Sequence, residues 1–502
     1  MLSQLLTKDH GFWRDRATKI RLETGLFVDG DYRAGSSGAL FESINPATGA
    51  VLAEMSIATE DDIDDVVQVA KNAFRSGIWP RLVPRERMAI LFRFADLIEH
   101  NAADLALLES IDMGKPISRA LTADIPAVLE AIRYFAECID KIEGIVTNTD
   151  PGAFHYVLRE PFGVVAAITP WNFPMMLAMW KVAPALAAGN TVVLKPAEQA
   201  PLSCLRLAEL FIEAGGPPGV FNVVNGPGEI TGRALALHPD VSKVAFTGST
   251  EVGRLMLSYA AQSNLKKVSL ELGGKSAQIF LDDTPDLEVA AKAAVAGIFA
   301  NSGQVCSAGS RLLVDRAIHG EFVELFQSAA RTSFVPGDPL DPRTTMGPMV
   351  TTQQRNQVLR RVQQGKDEGA ELRMGGDCPA SLPDGAFINP TIFDHVSPEM
   401  TIAREEIFGP VVSIIPVDGP DEAIRVANDS IYGLAASVWT RDLSKAHRLV
   451  RAIEAGVVWV NCFGDGDMTQ PFGGYKQSGQ GRDRGIECLL SYTQLKSAWI
   501  KL

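Results

Sequence analysis

From residue 163 onward, apolar residues come in short unbroken runs separated by stretches of helical spacing. Runs at 164–168, 191–194, 221–224, 244–246 and 268–270 alternate with candidate helices at 201–214, 229–237 and 249–261. Strands covered on both faces read as continuous apolar runs, and their alternation with helices predicts a parallel sheet with crossover connections. A second stretch of the same kind runs from about 276 to 460. Its strands are expected at 277–281, 311–314, 411–416 and 457–461, and its helices at 287–300, 318–331, 351–369 and 421–427. Upstream the pattern is helical. Over 59–76, Thr59 stands as N-cap, acids fill the first turn, and Ile63, Val66, Val67, Ala70 and Phe74 share a face. The spacing predicts further helices over 84–111 and 121–139. Two β-rich segments, 147–159 and 492–502, fit neither unit; isolated strands are unstable, so they are expected to pair with each other or with another subunit.

Length and charge narrow the picture. A chain of 502 residues is too long for one core, so two or more domains are expected, with a boundary near Gly273-Gly274. Net charge is −13, from 47 basic and 60 acidic residues, which disfavours nucleic acid and anionic membranes as partners. No run approaches the roughly 18 apolar residues of a membrane helix, and residues 1–16 lack the apolar core of a secretory signal, so a cytoplasmic protein is expected. The six cysteines lie far apart with no Cys-x-x-Cys; neither a metal site nor a disulfide framework is expected.

The chemistry concentrates in a few loops. Cys306 lies among small residues, Asn301-Ser302-Gly303-Gln304-Val305-Cys306-Ser307-Ala308-Gly309, where a thiol meets an electrophilic carbon without hindrance. Glu271, in Leu270-Glu271-Leu272-Gly273-Gly274-Lys275, is a carboxylate suited to activating water. Asn172, in Thr169-Pro170-Trp171-Asn172-Phe173-Pro174, follows the first strand of the parallel sheet, where ligand sites of open α/β sheets lie, and its amide suits an oxyanion. Lys195 and Glu198 follow the second strand. They are placed for ribose hydroxyls, and the carboxylate would repel a 2′-phosphate, favouring NAD over NADP without excluding NADP. Gly248 and Ser249 join a strand to a helix whose N-terminus suits a pyrophosphate. Gly273-Gly274-Lys275-Ser276 is like the tail of a P-loop, but Ser269 stands where that motif needs Gly, so an ATPase is rejected. Taken singly, each feature also fits a turn, a solvated loop or a buried thiol. A cysteine hydrolase would need a His partner, and none of the seven His sits in a triad context.

In order along the chain, these motifs resemble the aldehyde dehydrogenase superfamily from about Gly25 to Leu502. The resemblance rests on Pro-Trp-Asn-Phe-Pro at 170–174, Lys-Pro-Ala-Glu at 195–198, Phe-Thr-Gly-Ser at 246–249, Glu-Leu-Gly-Gly-Lys at 271–275, Gly-Gln-x-Cys at 303–306, Glu-Glu-Ile-Phe-Gly-Pro at 405–410 and Pro-Phe-Gly-Gly-x-Lys at 471–476. It implies an α/β fold: a Rossmann-like dinucleotide domain (1–141 and 162–273), an α/β catalytic domain (274–475) and a small oligomerisation β element (142–161 and 487–502). Dimers or tetramers are implied. Cys306 would attack the aldehyde, Asn172 and the Cys306 N–H would hold the oxyanion, and Glu271 would activate water for thioester hydrolysis, giving a free acid and not a CoA ester. Thr169, Pro170, Trp171, Lys195, Glu198, Gly248 and Ser249 would contact NAD, with Glu406 and Phe408 at the nicotinamide-side ribose. Lys181 matches a family lysine tied to proton handling. A silent scaffold of the same fold is disfavoured because Cys306, Glu271 and Asn172 are all retained.

Within the superfamily the chain looks most like dehydrogenases of aminoaldehydes, such as those acting on 4-(γ-glutamylamino)butanal, through Asn461-Cys462-Phe463-Gly464-Asp465-Gly466-Asp467-Met468-Thr469. Broad-specificity aliphatic or betaine aldehyde dehydrogenases are the alternatives. Asp124, Asp465 and Asp467 are expected to attract a substrate ammonium, or else to be solvated loop acids; Phe173, Trp180 and Phe472 are expected to form an aromatic wall. Asn461-Cys462-Phe463-Gly464 departs from the Asn-Asn-Tyr-Asn of the subgroup, which leaves the particular aldehyde open.

Overall fold

The computed structural model describes residues 2–502. Five parallel strands form the centre of the first sheet, in the spatial order Phe221–Val223, Thr191–Lys195, Val164–Ile168, Val241–Thr247, Lys267–Glu271. Strand order therefore reverses between Val164–Ile168 and Val241–Thr247, which opens a crevice at their carboxyl ends. Two antiparallel pieces close the edges: Leu26–Val28 beside Phe221–Val223, and Gly479–Gln480 beside Lys267–Glu271. The central strands Val164–Ile168 and Thr191–Lys195 are buried at every position, as their unbroken apolar sequence requires.

The second sheet has seven strands, in the order Glu371–Met374, Thr391–Asp394, Val411–Val417, Arg311–Asp315, Ala277–Phe280, Ala435–Trp439, Val457–Val460; only the edge strand Glu371–Met374 runs antiparallel. Both sheets carry their own apolar cores. This is the α/β architecture expected from the alternation of strands and helices.

Several local expectations change. The helix expected over 84–111 is two helices, Pro84–His100 and Ala102–Asp112. Asn101 joins them: its backbone N–H (3.0 Å) and side-chain amide (2.8 Å) both donate to the Leu97 carbonyl at the end of the first helix, and its own carbonyl accepts the N–H groups of Asp104 and Leu105 at the start of the second. The helix Ile125–Glu137 is preceded by a π-helical turn, Ala120–Asp124. Ala153–Pro161 and Thr493–Lys501 pair over nine residues, with Ile145–Val146 as a third strand. The C-terminal β segment begins later than residue 487: Gly485–Leu490 is a helix whose Cys488 and Leu489 join the first core, and the chain has already returned to the first sheet at Gly479–Gln480. Apolar side chains, not chain order, decide which core such a segment joins. Among the described residues no helix is long and apolar enough to cross a membrane.

Candidate active site

The crevice at the strand reversal holds a cavity of about 400 Å³. Pro170, Trp171 and Asn172 line it from the loop after Val164–Ile168, and Thr247, Gly248 and Ser249 from the turn after Val241–Thr247. Glu406, Ile407 and Phe408 supply a third wall, and Cys306 lies at the inner end. Trp171 and Phe408 meet edge to face at 5.3 Å. The 13-residue helix Thr250–Gln262 opens at the cavity mouth, and a helix start offers unpaired N–H groups to an anion. Ser249 caps that helix: its Oγ accepts from Val252 N–H at 3.2 Å, so only its O–H remains free to donate. The hydroxyls of Thr169 and Thr247 are buried without partners. Aromatic walls, a helix start and orphaned donors together fit a dinucleotide. Lys195 and Glu198 pair with each other at 2.9 Å at the end of the neighbouring strand, outside the lining of this cavity. Burial is the largest single influence and acts to raise the Glu198 carboxyl, but the charge and hydrogen bond of Lys195, with further bonds from the Glu198 N–H and the Gln199 amide, together hold it below its ordinary range.

Cys306 sits in the loop between the helix Leu287–Phe299 and the strand Arg311–Asp315. Three consecutive residues, Asn301, Ser302 and Gly303, hold left-handed backbone (φ 51°, 57° and 71°), a costly arrangement that clusters at functional sites. Gly303 admits no side chain, since a Cβ would lie 2.2 Å from the Gly409 carbonyl; Gly274 likewise lets the backbone pass the Cys306 carbonyl. Asn301 stitches the two loops together, donating from Nδ2 to the carbonyls of Asn172 (2.9 Å) and Gln304 (3.2 Å). Asn172 in turn donates from Nδ2 to the Gln304 carbonyl at 2.9 Å. One N–H of the Asn172 amide is thereby committed; the second has no partner among the described residues, and the residue lines the cavity. Burial holds the Cys306 thiol well above its ordinary range, with the Glu271 and Glu406 carboxylates adding to the effect and the N–H groups of Ser307 and Cys306 opposing it. The resting group is a thiol, and reaction requires a base.

Glu271 ends the strand Lys267–Glu271 and is 3% exposed, with Oε1 lacking any partner. Burial, then the charge of Asp483, push its carboxyl well above its ordinary range; Lys181 and Arg482 pull the other way. Lys181 and Asp483 form a buried ion pair at 2.9 Å. Glu406, expected at a ribose, accepts the Gly274 N–H at 3.0 Å, and burial raises it to about 7.

On the other flank of the Cys306 loop lies a second cavity of about 350 Å³, walled by Phe173, Asn301, Val305, Ser307, Phe463 and neighbours. Cys306 thus stands between two chambers. Here the three acids expected either to attract an ammonium or to be solvated loop residues do not come together. Asp124 does line this cavity, but its carboxylate is in contact with the Lys115 ammonium, and Lys115 also lies 3.8 Å from Glu109 and over the Phe173 ring at 4.1 Å. Asp465 and Asp467 are outside the walls: the Asp465 carbonyl accepts from Trp459 Nε1 at 2.7 Å, and the Asp467 carboxylate caps Thr469 N–H at 2.9 Å. The Asp467 carboxylate is thus engaged by a nearby backbone donor, a use its presence in sequence does not announce. Trp180 and Phe472 pack on one another at 5.5 Å, and only Phe173 of the expected aromatic wall lines the chamber.

Sequence reading missed Asp483 and Glu109, whose partners Lys181 and Met175 N–H lie 302 and 66 positions away, and Lys115, whose partner Asp124 is near in the chain but is brought to it only by the fold. It also missed the bracing of Gln304, whose Oε1 accepts Val350 N–H at 2.9 Å and whose Nε2 donates to the Asn301 carbonyl at 3.2 Å.

Known proteins agree with this geometry. The model of the aldehyde dehydrogenase family matches residues 32–498. An NADP/NAD-dependent aldehyde dehydrogenase, PuuC of Escherichia coli (strain K12), is 48% identical over 491 residues, covering 98% of each chain. The crystal structure of an indole-3-acetaldehyde dehydrogenase complexed with NAD+ superposes with a TM-score of 0.97 at 50% identity, over 99% of this chain and 100% of that one. That of a gamma-glutamyl-gamma-aminobutyraldehyde dehydrogenase from Burkholderia cenocepacia J2315 does so with 0.96 at 49% identity, over 99% and 100%. The match spans nearly the whole chain and includes every loop that builds the site: the protein belongs to the aldehyde dehydrogenase family.

Proposed function

We propose that this enzyme oxidises an aminoaldehyde of the γ-glutamylaminobutanal type to its carboxylic acid, using NAD and tolerating NADP. The observation that carries the reading is the position of Cys306 between two chambers, with Asn172 and Glu271 beside it. An aldehyde enters from the 350 Å³ side. The sulfur of Cys306, deprotonated by Glu271 as it attacks, bonds to the carbonyl carbon. The free N–H of the Asn172 amide and the Cys306 backbone N–H hold the resulting oxyanion. Trp171, Ser249, Glu406 and Phe408 would hold a dinucleotide in the 400 Å³ cavity, which would supply the acceptor for the hydride that the adduct's carbon gives up in becoming a thioester. The thioester left on Cys306 is hydrolysed by a water that Glu271 deprotonates, its unpartnered oxygen being the acceptor. The proton Glu271 takes from the thiol is released to solvent before this second step, and the buried Lys181–Asp483 pair acts on its carboxyl through charge alone. The substrate class is supported by the aminoaldehyde-like loop at 461–469 and by likeness to the γ-glutamyl-γ-aminobutyraldehyde enzyme.

The three-stranded sheet leaves Leu158, Leu495, Trp499 and Ile500 exposed, which supports an interface between copies in a dimer or tetramer. All six cysteines are free thiols, in keeping with a reducing, cytoplasmic setting. The function is tested by mixing purified protein, γ-glutamylaminobutanal and NAD and following absorbance of the reduced cofactor. Cys306→Ala should abolish the signal while NAD binding, read by tryptophan quenching, persists. Oxidation surviving in that variant would remove Cys306 as the nucleophile.

A further inference from the structure

The aldehyde-side chamber carries one charge that nothing among the described residues answers. Arg119 ends the short helix Ile117–Arg119 and leads into the π-helical turn Ala120–Asp124. Side chains four apart share a face of an α-helix; a π turn spreads the spacing toward five. Arg119, Ala123 and Asp124 consequently all line the same chamber. Such turns are rare and often mark functional sites.

A count of charges on these walls decides what the chamber prefers. Lys115 and Asp124 neutralise each other by direct contact, both side chains 3% exposed. Glu109 is fully buried 3.8 Å from Lys115 and does not line the chamber, so it presents no charge to a ligand there. Arg119 is exposed, and among the described residues its guanidinium has neither an ion pair nor a hydrogen bond. A far-end anion on the substrate therefore meets a free guanidinium, whereas a far-end ammonium meets no free carboxylate. Small residues, Ala296, Gly297, Ala300 and Gly464, also line the chamber, which leaves room for a long tail.

We propose that Arg119 selects aldehydes whose far end carries a carboxylate, held by paired N–H···O bonds from the guanidinium fork. The inference rests on the reading of this chamber as the aldehyde side. The carboxylate is either that of a simple ω-carboxyaldehyde or that of an amino acid joined through an amide, and the chemistry of recognition is the same for both.

The test compares steady-state kinetics of wild type, Arg119→Gln and Arg119→Lys, each with NAD, on four aldehydes: an ω-carboxyalkanal, its methyl ester, γ-glutamylaminobutanal and 4-aminobutanal. The readout is the KM of each acid relative to the ester, which cancels any general damage. Arg119→Gln should raise that ratio about tenfold, the equivalent of about 1.4 kcal/mol, with kcat for the acids retained; Arg119→Lys should restore part of it. High salt should raise the ratio in wild type and not in the Gln variant. A shift for both acids, or for γ-glutamylaminobutanal alone, supports the proposal and tells the two sources apart. An unchanged ratio, or a shift confined to 4-aminobutanal, overturns it. Absence of oxidation of all four aldehydes by wild type would instead overturn the proposed function.

Discussion

Glu271→Gln removes a proton acceptor while keeping side-chain size and shape. The wild-type carboxylate is 3% exposed, with one oxygen that no protein donor reaches, so a water bound there has no competing partner. A glutamine amide can hold that water but cannot accept its proton. General base catalysis contributes roughly 10²–10⁴-fold, so hydrolysis of the thioester should lose about 3–5 kcal/mol of transition-state stabilisation. A single turnover can still proceed, more slowly at its first step, because water offers an alternative base for a thiol. Rapid mixing of variant, aldehyde and NAD should give a burst of about one reduced cofactor per active site, followed by a slow steady state. The pH dependence has a definite sign. Burial and Asp483 raise the Glu271 carboxyl, so wild-type turnover should climb as pH rises through that elevated value and fall below it, while the variant stays flat over the same range. Stability should run the other way. A carboxyl raised in the folded state stabilises the fold below its unfolded pKa, and that contribution is lost as pH rises through the folded one. At alkaline pH the inactive variant should therefore unfold at a temperature no lower than wild type. Smooth kinetics at the wild-type rate would eliminate Glu271 as the base, and slow linear kinetics without a burst would confine it to the attack step.

Two further perturbations follow. Asn172→Ala should cost about 10²–10³ in kcat, as loss of an oxyanion donor does elsewhere, with NAD affinity unchanged by titration; a kcat near wild type would remove the amide from the mechanism. Lys181→Gln leaves the buried Asp483 carboxylate without its partner 2.9 Å away and should destabilise the protein by about 3–5 kcal/mol, visible as a lower midpoint in thermal scans. Adding Asp483→Asn should recover part of that loss, and a scan unchanged by the single substitution would contradict the pair.

The residues of the site were legible where function is tied to a local motif. Cys306 among small neighbours, Asn172 after a strand and Glu271 before two glycines all carry their signal within a few positions. Charged residues were legible in type but not in state. Asp124 looks free in sequence and is matched by Lys115 nine positions earlier, because only the π turn brings the two together. Lys181 and Asp483 lie 302 positions apart, and no local pattern announces their pairing.

By itself, then, the sequence determined the strands, most helices and the chemical groups available, since apolar periodicity and side-chain identity are properties of neighbours along the chain. Only the tertiary structure decided which charges are spent and which are free. Burial and pairing depend on what the fold lays against each group, and that is how Arg119, an ordinary surface residue in sequence, becomes the one unpaired charge, among the described residues, on the wall of the second cavity.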